Sequence, residues 1–384
     1  MNQRVMLLGS DKPEIVRALR QRPDIQLQVI TRTAYAGFYD ECGIAYVDSF
    51  EDLGQVERAA HSLARAGLPD RVVASTEKSI VAAGLVRSLL GVPGPSFEQS
   101  LWAAHKRAMK DRLRAAGLPV TDYAQAGCLE EVPRAARDTG WPVVIKPVFG
   151  AMATRTHRVA SPQAFARGLR EGRYDDLAAR GVPILVERLV DVTAEYHCDG
   201  VTRRAEVRHA TVSRYFTIPL DTPPEVDSGY VVDQSAPIAR AILLLHRKAV
   251  RALGLQDGVT HLEVFETDRG PVIGEIAIRP GGLGIPRMLW HARGVDLWDE
   301  FLRAALGEPM SPPSHGPNPG IVARTQLPAA EGLVRKASAL PGVLEARGPD
   351  HGGTANVEVY FESPDEAGAE STWRQLRGIA GLKD

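Results

Sequence analysis

Residues 260 to 279 constrain this chain more than any other stretch. In Thr260-His261-Leu262-Glu263-Val264-Phe265-Glu266 alternate residues share one strand face, so His261 and Glu263 point the same way. A turn at Asp268-Arg269-Gly270-Pro271 follows, and Val272-Ile273-Gly274-Glu275-Ile276-Ala277-Ile278-Arg279 returns. The two runs predict an antiparallel hairpin that brings Glu263 and Glu275 within reach of one site, with Arg279 on the same face two pairs along. Two carboxylates held close repel unless a cation lies between them. Magnesium on a phosphate, bound through one or two protein carboxylates, satisfies them, and Arg279 can pair with a terminal phosphate. A solvated face carrying a Glu–Arg pair is the plainer alternative. The apolar flanks, and the turn Pro280-Gly281-Gly282-Leu283-Gly284 that follows at once, weaken it. His261 reads as a satisfied strand histidine, or else as a group that orients substrate or a metal ligand.

Further pieces fit the same task. Lys146 ends the apolar run Pro142-Val143-Val144-Ile145 and is followed by Pro147. A lysine beside a buried strand is costly without an anion, and nucleotide phosphate is a suitable one. Lysines at strand ends also reach solvent along their stems. Lys106 opens a helix in His105-Lys106-Arg107-Ala108-Met109-Lys110. After Lys146 comes Gly150-Ala151-Met152-Ala153-Thr154-Arg155, a run of small residues whose backbone N–H groups can reach phosphate oxygens. Arginine carries most of the positive charge, so each of the sparse lysines carries more information.

The chain has 384 residues, too many for one ordinary domain, and a formal net charge of -1, without the basic excess of a nucleic-acid binder. Cys42, Cys128 and Cys198 are far apart and form no CxxC pair, which argues against a disulfide framework or a zinc site and fits a reducing compartment. No signal peptide and no apolar run of membrane-spanning length is read, so a soluble, cytoplasmic protein is expected, with neither nucleic acid nor membrane as partner. Short strands at Arg4–Gly9, Leu27–Ile30 and Arg71–Ser75 alternate with helices over Pro13–Arg20 and Ser79–Leu90, implying a parallel sheet. Its first strand ends Gly9-Ser10-Asp11-Lys12-Pro13-Glu14, without the glycines of a dinucleotide fingerprint, so a structural Rossmann-like layer is expected rather than NAD binding. A long helix is predicted over Phe97–Ala116, stopped by Gly117 and Pro119. Strand patterns prevail from about 195 to 280 around a helix at Ala236–Leu253. A Pro-rich connection spans Pro309–Pro319, and the tail holds a helix at Gly332–Leu340 and a strand at Asn356–Phe361.

These pieces together resemble the ATP-grasp superfamily, and within it the carboxylate–amine ligases near bacterial L-amino-acid ligases and biotin carboxylase. The resemblance covers nearly the whole chain. "HKRAMKDRLRAAGLPV" resembles the helix with the first ATP lysine, which maps to Lys106, and "GWPVVIKPVFGAMATRTHRV" the segment with the second, Lys146, and its phosphate-covering loop at Gly150, Ala151 and Met152. "ILVERLVDVTAEYHCDG" is similar to the adenine hinge, implying Glu187, Arg188, Leu189 and Val190 at the adenine edge and Glu195 on the ribose. "GVTHLEVFETDRGPVIGEIAIRPGG" resembles the family's Glu, then Glu-x-Asn-x-Arg, through Glu263, Glu275 and Arg279; the Asn position is Ala277. That departure implies two protein ligands, with water filling the gap, or one metal ion of the usual two.

The resemblance implies α/β and α+β architecture: a Rossmann-like pre-ATP-grasp domain at 1–95, a linking helix at 96–120, a small grasp lobe at 121–190, a large lobe with the metal and phosphate site at 191–319, and a small α+β C-terminal subdomain at 320–384. It implies ATP and Mg2+ (or Mn2+) as cofactors. ATP would convert a carboxylate, of an amino acid in the first instance, to an acyl phosphate that an amine displaces. Lys146, Arg279 and Arg287 are the candidate catalytic cations, Arg287 as a second anion contact after the Gly-rich turn. Rival readings are loading of an acid onto a carrier-protein thiol, with Arg203–Arg214 as docking strand, and a nucleotide-binding scaffold without turnover. Tyr215, Phe216 and Tyr230 are candidates to shape a substrate pocket or to pack. A homodimer is expected by analogy with relatives.

Overall fold

The structure is a computed structural model; it describes residues 2–9, 13–39, 43–74, 76–150, 155–221, 227–349 and 356–382. Ala151, Met152 and Cys42 lie outside the described residues.

The first sheet is parallel, in the order β3-β2-β1-β4, from β1 (Gln3–Leu8), β2 (Ile25–Thr31), β3 (Gly43–Tyr46) and β4 (Arg71–Ala74). Its central strands are buried on both faces, as crossover helices require. Met6 and Leu8 face the helices Leu53–Ala64 and Glu77–Leu90, while Val5 and Leu7 share a core with Met288, Leu289 and Phe301 from near residue 300. Gly91 closes the helix Glu77–Leu90 with φ 66°, the left-handed cap that glycine reaches without a Cβ penalty.

The second sheet, ordered β5-β8-β6-β7, is antiparallel: β5 (Tyr123–Ala126), β6 (Val143–Pro147), β7 (His157–Val159) and β8 (Ile184–Arg188). Val143 and Ile145 turn toward the helices Val132–Thr139 and Pro162–Arg170, in a core with Val132, Ala136 and Phe165. Strict alternation then turns Val144 and Lys146 the other way.

The third sheet has eight strands in the order β13-β12-β9-β10-β11-β14-β16-β15. They are β9 (Ala194–Arg203), β10 (Glu206–Tyr215), β11 (Ser228–Val231), β12 (Gly258–Thr267), β13 (Gly270–Ala277), β14 (Ile321–Pro328), β15 (Val343–Arg347) and β16 (Asn356–Ser363). One face is apolar, with Tyr196, Cys198, Leu262, Ile276, Ala323 and Val359 in a core shared with the helices Pro237–Ala252 and Glu366–Ile379. The opposite face carries a buried polar band: Glu195, His197 and Asp199 on β9, Ser213 on β10, His261 on β12, Arg324 and Gln326 on β14. The tail is α+β, and its strands extend this large sheet through the β11–β14 pairing.

One expected element differs. The helix predicted over Phe97–Ala116 is two helices, Phe97–Ala104 and Lys106–Ala115, broken at His105. His105 has extended backbone and its Nδ1 accepts from the Ala108 N–H at 3.2 Å, so it caps a new helix start. The Lys106 N–H donates instead to Val148 O at 2.9 Å. The break fixes Lys106 in a first turn against the end of β6.

Candidate active site

Glu263 and Glu275 are direct cross-strand partners in the β12–β13 pairing, and His261 pairs with Ala277. The hairpin is as expected, except that β13 ends at Ala277 and leaves Arg279 just beyond the strand. The next strand inward, β9, sets His197 opposite Glu263, Asp199 opposite His261 and Glu195 opposite Phe265. Neighbouring strands therefore bring Glu195, His197, Asp199, His261, Glu263 and Glu275 to one surface.

The lysines approach from the second sheet and its leading helix. Lys106 Nζ donates to Glu275 Oε1 at 2.6 Å and to Gly150 O at 2.7 Å, spanning from the hairpin to the loop after β6. Lys146 Nζ lies 2.9 Å from Glu187 Oε1. Val144 pairs with Glu187 across β6 and β8, so Lys146 and Glu187 meet diagonally on one sheet face. Each lysine thus has a carboxylate as its anion, where its burial alone suggested a phosphate. Burial pulls the Lys146 ammonium down, but Glu187, followed by Glu275 and Glu263, outweighs it and holds the group above the usual range.

Glu187 is the hub of this half. Burial pushes its carboxyl up, but Lys110 and Lys146 outweigh that and bring it to about 2. Lys110, fully buried, lies 3.4 Å from Glu187 Oε2 and donates to Thr121 Oγ1 at 3.0 Å; Thr121 Oγ1 in turn donates to Glu187 Oε2 at 2.8 Å. On the hairpin side burial again pushes Glu263 up, and contact with His261 followed by Lys106 and Lys146 brings it to about 2. Glu195 moves the other way, raised well above the carboxylate range by burial and by Glu263.

No family model matches the chain. An L-arginine-specific L-amino acid ligase of Bacillus subtilis is 30% identical over 358 residues, 89% of this chain and 86% of the relative. The chain belongs to the ATP-grasp carboxylate–amine ligases. A D-alanine–D-alanine ligase of Mycobacterium bovis is 34% identical over 240 residues, 56% of this chain and 61% of the relative. Among solved structures, an L-amino acid ligase from Bacillus licheniformis superposes with a TM-score of 0.76 at 16% identity, covering 99% of this chain and 98% of the other. A carboxyaminoimidazole ribonucleotide synthase from Aspergillus clavatus, complexed with ATP, superposes with a TM-score of 0.76 at 19% identity and the same coverage. The chain is therefore an ATP-dependent ligase that joins a carboxylate to an amine, and its fold is the ATP-grasp fold. Among the described residues no helix is long and apolar enough to cross a membrane.

The other candidate residues of this ligase are spread wider. Arg279 Nε donates to Glu77 Oε2 at 3.0 Å, and its Nη1 to Pro280 O at 2.9 Å. Glu77 begins a helix of the first sheet, so Arg279 ties the end of the hairpin to the N-terminal layer. Arg287 is not brought to the carboxylates by its recorded contacts. Its Nε donates to Glu345 Oε2 at 2.8 Å, and its guanidinium lies 3.9 Å over the Trp290 ring. The helix Ile285–Arg293 turns it toward β15, where Glu345 also accepts from Arg347 and receives His291. In the hinge, the Arg188 N–H donates to Asp122 O and the Leu189 N–H to Pro142 O, both at 2.9 Å. Those two amides are committed to the protein, while the Glu187 side chain serves the lysines.

Tyr215 is buried with its ring centroid 5.0 Å from that of His197, on the polar face. Phe216 stacks on Trp373 and leans on Tyr230, so these two pack in the core. Arg203 is a strut to buried Glu300. Sequence reasoning missed Lys110, Thr121 and Glu77. Lys110 left a signal: it lies four residues after Lys106, one helical turn along the same face. Thr121 and Glu77 left none, since each meets its partner, Glu187 and Arg279, only through tertiary contact.

Proposed function

We propose that this ligase converts the carboxylate of an L-amino acid to an acyl phosphate with ATP and passes the acyl group to the amino group of a second amino acid. A carboxylate oxygen takes the γ-phosphoryl group and ADP leaves. The amine nitrogen then attacks the acyl carbon, the C–O bond to phosphate breaks, and the nitrogen loses a proton as the amide forms. Arginine is the first amino acid to test, because the curated relative over most of this chain's length is arginine-specific.

The reading rests on one observation: Glu263 and Glu275 face each other across the hairpin, with Lys106 reaching Glu275 from its helix and Lys146 of the second sheet paired beside them with Glu187. A pair of carboxylates on adjacent strands suits a hard divalent cation, and the phosphates supply further oxygen ligands. The donor set fits Mg2+, or Mn2+, held by Glu263 and Glu275. The cation, when bound with nucleotide, would screen charge on the transferring phosphoryl group. Lys106 and Lys146 would hold phosphate oxygens, and Arg279 would add positive charge at the far end. Glu195, beside Glu263, would lie against the ribose. Any adenine-edge contact from the 187–190 segment would fall to its carbonyls and to Val190.

The test is release of ADP from ATP with a panel of amino acids, singly and in pairs, followed by mass analysis for dipeptides. A dipeptide containing arginine supports the reading. ADP release with no amide product from any pair would overturn it.

A further inference from the structure

We propose that Glu358 binds the positively charged side chain of the amino acid that is activated, a guanidinium or an ammonium group, and so selects a basic substrate; this rests on the reading above that the activated acid is an amino acid. Carboxylates on the polar face of the large sheet are mostly neutralised by the protein itself. Glu275 has Lys106, Glu263 and Asp199 have His261, Asp227 has Arg324 and Glu345 has Arg287, each at 3.6 Å or less. Among the described residues Glu195 and Glu358 make no such pair. Glu195 lies against the ribose in the reading above, which leaves Glu358 as a carboxylate without its cation.

Glu358 is half-buried and held by neutral groups. Gln326 Nε2 donates to its Oε1 at 3.2 Å and Tyr360 Oη to its Oε2 at 2.8 Å, and both donors are on buried residues. Neutral donors fix the direction of a carboxylate and leave its charge uncompensated. The arginines on neighbouring positions are committed elsewhere. Arg347, the cross-strand partner of Glu358, donates to Glu345; Arg324, opposite Tyr360, donates to Asp227 and to the Leu283 carbonyl. The Gly-rich turn after Arg279 links Glu358 to the reacting end of the site. A Cβ on Gly281 would lie 3.0 Å from His261 Nδ1, and one on Gly284 would lie 3.5 Å from Glu358 Oε1. The turn therefore runs along the polar face from His261, the neighbour of Glu263, to Glu358, in three Cα steps that cover at most about 11 Å. An extended arginine or lysine side chain spans much of that distance. Gly284 has no side chain to stand before the carboxylate, and a Cβ there would meet Tyr360 Oη at 2.5 Å. The opposed outcome is a structural anion, with Glu358 serving only the positive N-terminus of the helix Ile285–Arg293.

The experiment compares arginine with citrulline, which has the same shape and no charge, as substrates for ADP release by the full chain with MgATP. The native enzyme is expected to favour arginine in kcat/KM by roughly 30- to 100-fold, the worth of a charge-assisted hydrogen bond in a partly buried site. In Glu358→Gln the two substrates should come within about threefold of each other, chiefly through a higher KM for arginine, with the KM for ATP unchanged. Glu358→Asp keeps the charge and draws it back by one methylene, so it serves if the first variant does not fold: the KM for arginine should rise, and homoarginine, one methylene longer, should become the better substrate. A native arginine-to-citrulline ratio in Glu358→Gln, or a native KM for arginine in Glu358→Asp, overturns the proposal and leaves the amino-acid ligase reading standing. So does a native enzyme that turns over neutral amino acids and not arginine. Absence of ADP release with every amino acid overturns both.

Discussion

Glu263 and Glu275 face each other across β12 and β13, yet their neighbours differ: Lys106 holds Glu275 at 2.6 Å, while Glu263 stands 3.6 Å from the His261 ring. Glu275 is thus both half of a carboxylate pair and the partner of a buried ammonium. Glu275→Ala is expected to abolish ADP formation, and so is Lys146→Ala, with both proteins still folded. The Glu275 change also strands Lys106, at a cost of about 1–3 kcal/mol. Glu275→Gln keeps an oxygen for Lys106 and separates the two effects: near-native melting with at least a hundredfold loss of turnover. Full activity in either alanine variant, measured beside a circular-dichroism melt, refutes the assigned roles.

Glu187 gives a stability prediction with a definite sign. Its folded-state pKa, about 2, is depressed below the ordinary 4.5 because Lys110 and Lys146 outweigh burial. A depressed carboxyl contributes stability that is present above the unfolded pKa and is lost as pH falls through the folded one. Between about pH 4.5 and pH 2 the protein should therefore lose on the order of 3 kcal/mol through this residue. Glu187→Gln should flatten that part of the curve of urea-unfolding free energy against pH, and lower stability at pH 7, where two lysines lose their shared anion. An unchanged acid limb would show that the cluster is not coupled to folding.

Much of this site is legible in the sequence because its parts are local. Alternation fixes the shared face of His261 and Glu263, a turn of fixed chemistry fixes the return strand, and a lysine ending an apolar run marks Lys146. The break at His105 was missed because a helical period runs through it, and only the cap on Ala108 and the Val148 carbonyl stop it. Lys110 on its helix and Glu187 on β8 meet only through the packing of that helix against the second sheet, a relation no spacing encodes. Arg279 and Arg287 look alike in the sequence, each beside the Gly-rich turn, but the helix starting at Ile285 turns only the second away toward Glu345.

That difference between the two arginines is testable. Arg287 is partly exposed and held by Glu345 and Trp290, so Arg287→Ala should keep kcat within about threefold and cost about 1 kcal/mol or less in stability. A hundredfold loss of kcat without unfolding would return Arg287 to the reacting groups and mean that it leaves Glu345 when substrate binds.

Arg279 should behave in the opposite way. Its Nε is aimed by Glu77, and the contact reaches from the hairpin's end to the first helix after β4. Positive charge supplied to a transferring phosphoryl group acts in the transition state more than in the ground state, so its loss appears in kcat rather than in KM. Arg279→Ala should lower kcat by roughly 10²–10³-fold with little change in the KM for ATP, the size seen when one preorganised charge-stabilising donor is removed. Glu77→Gln keeps the fold and Arg279 but weakens the aim, and should cost about tenfold in kcat. If Arg279→Ala instead melts earlier while steady-state kinetics stay native, the guanidinium is a strut between the N-terminal layer and the large sheet, and the far end of the triphosphate needs another cation.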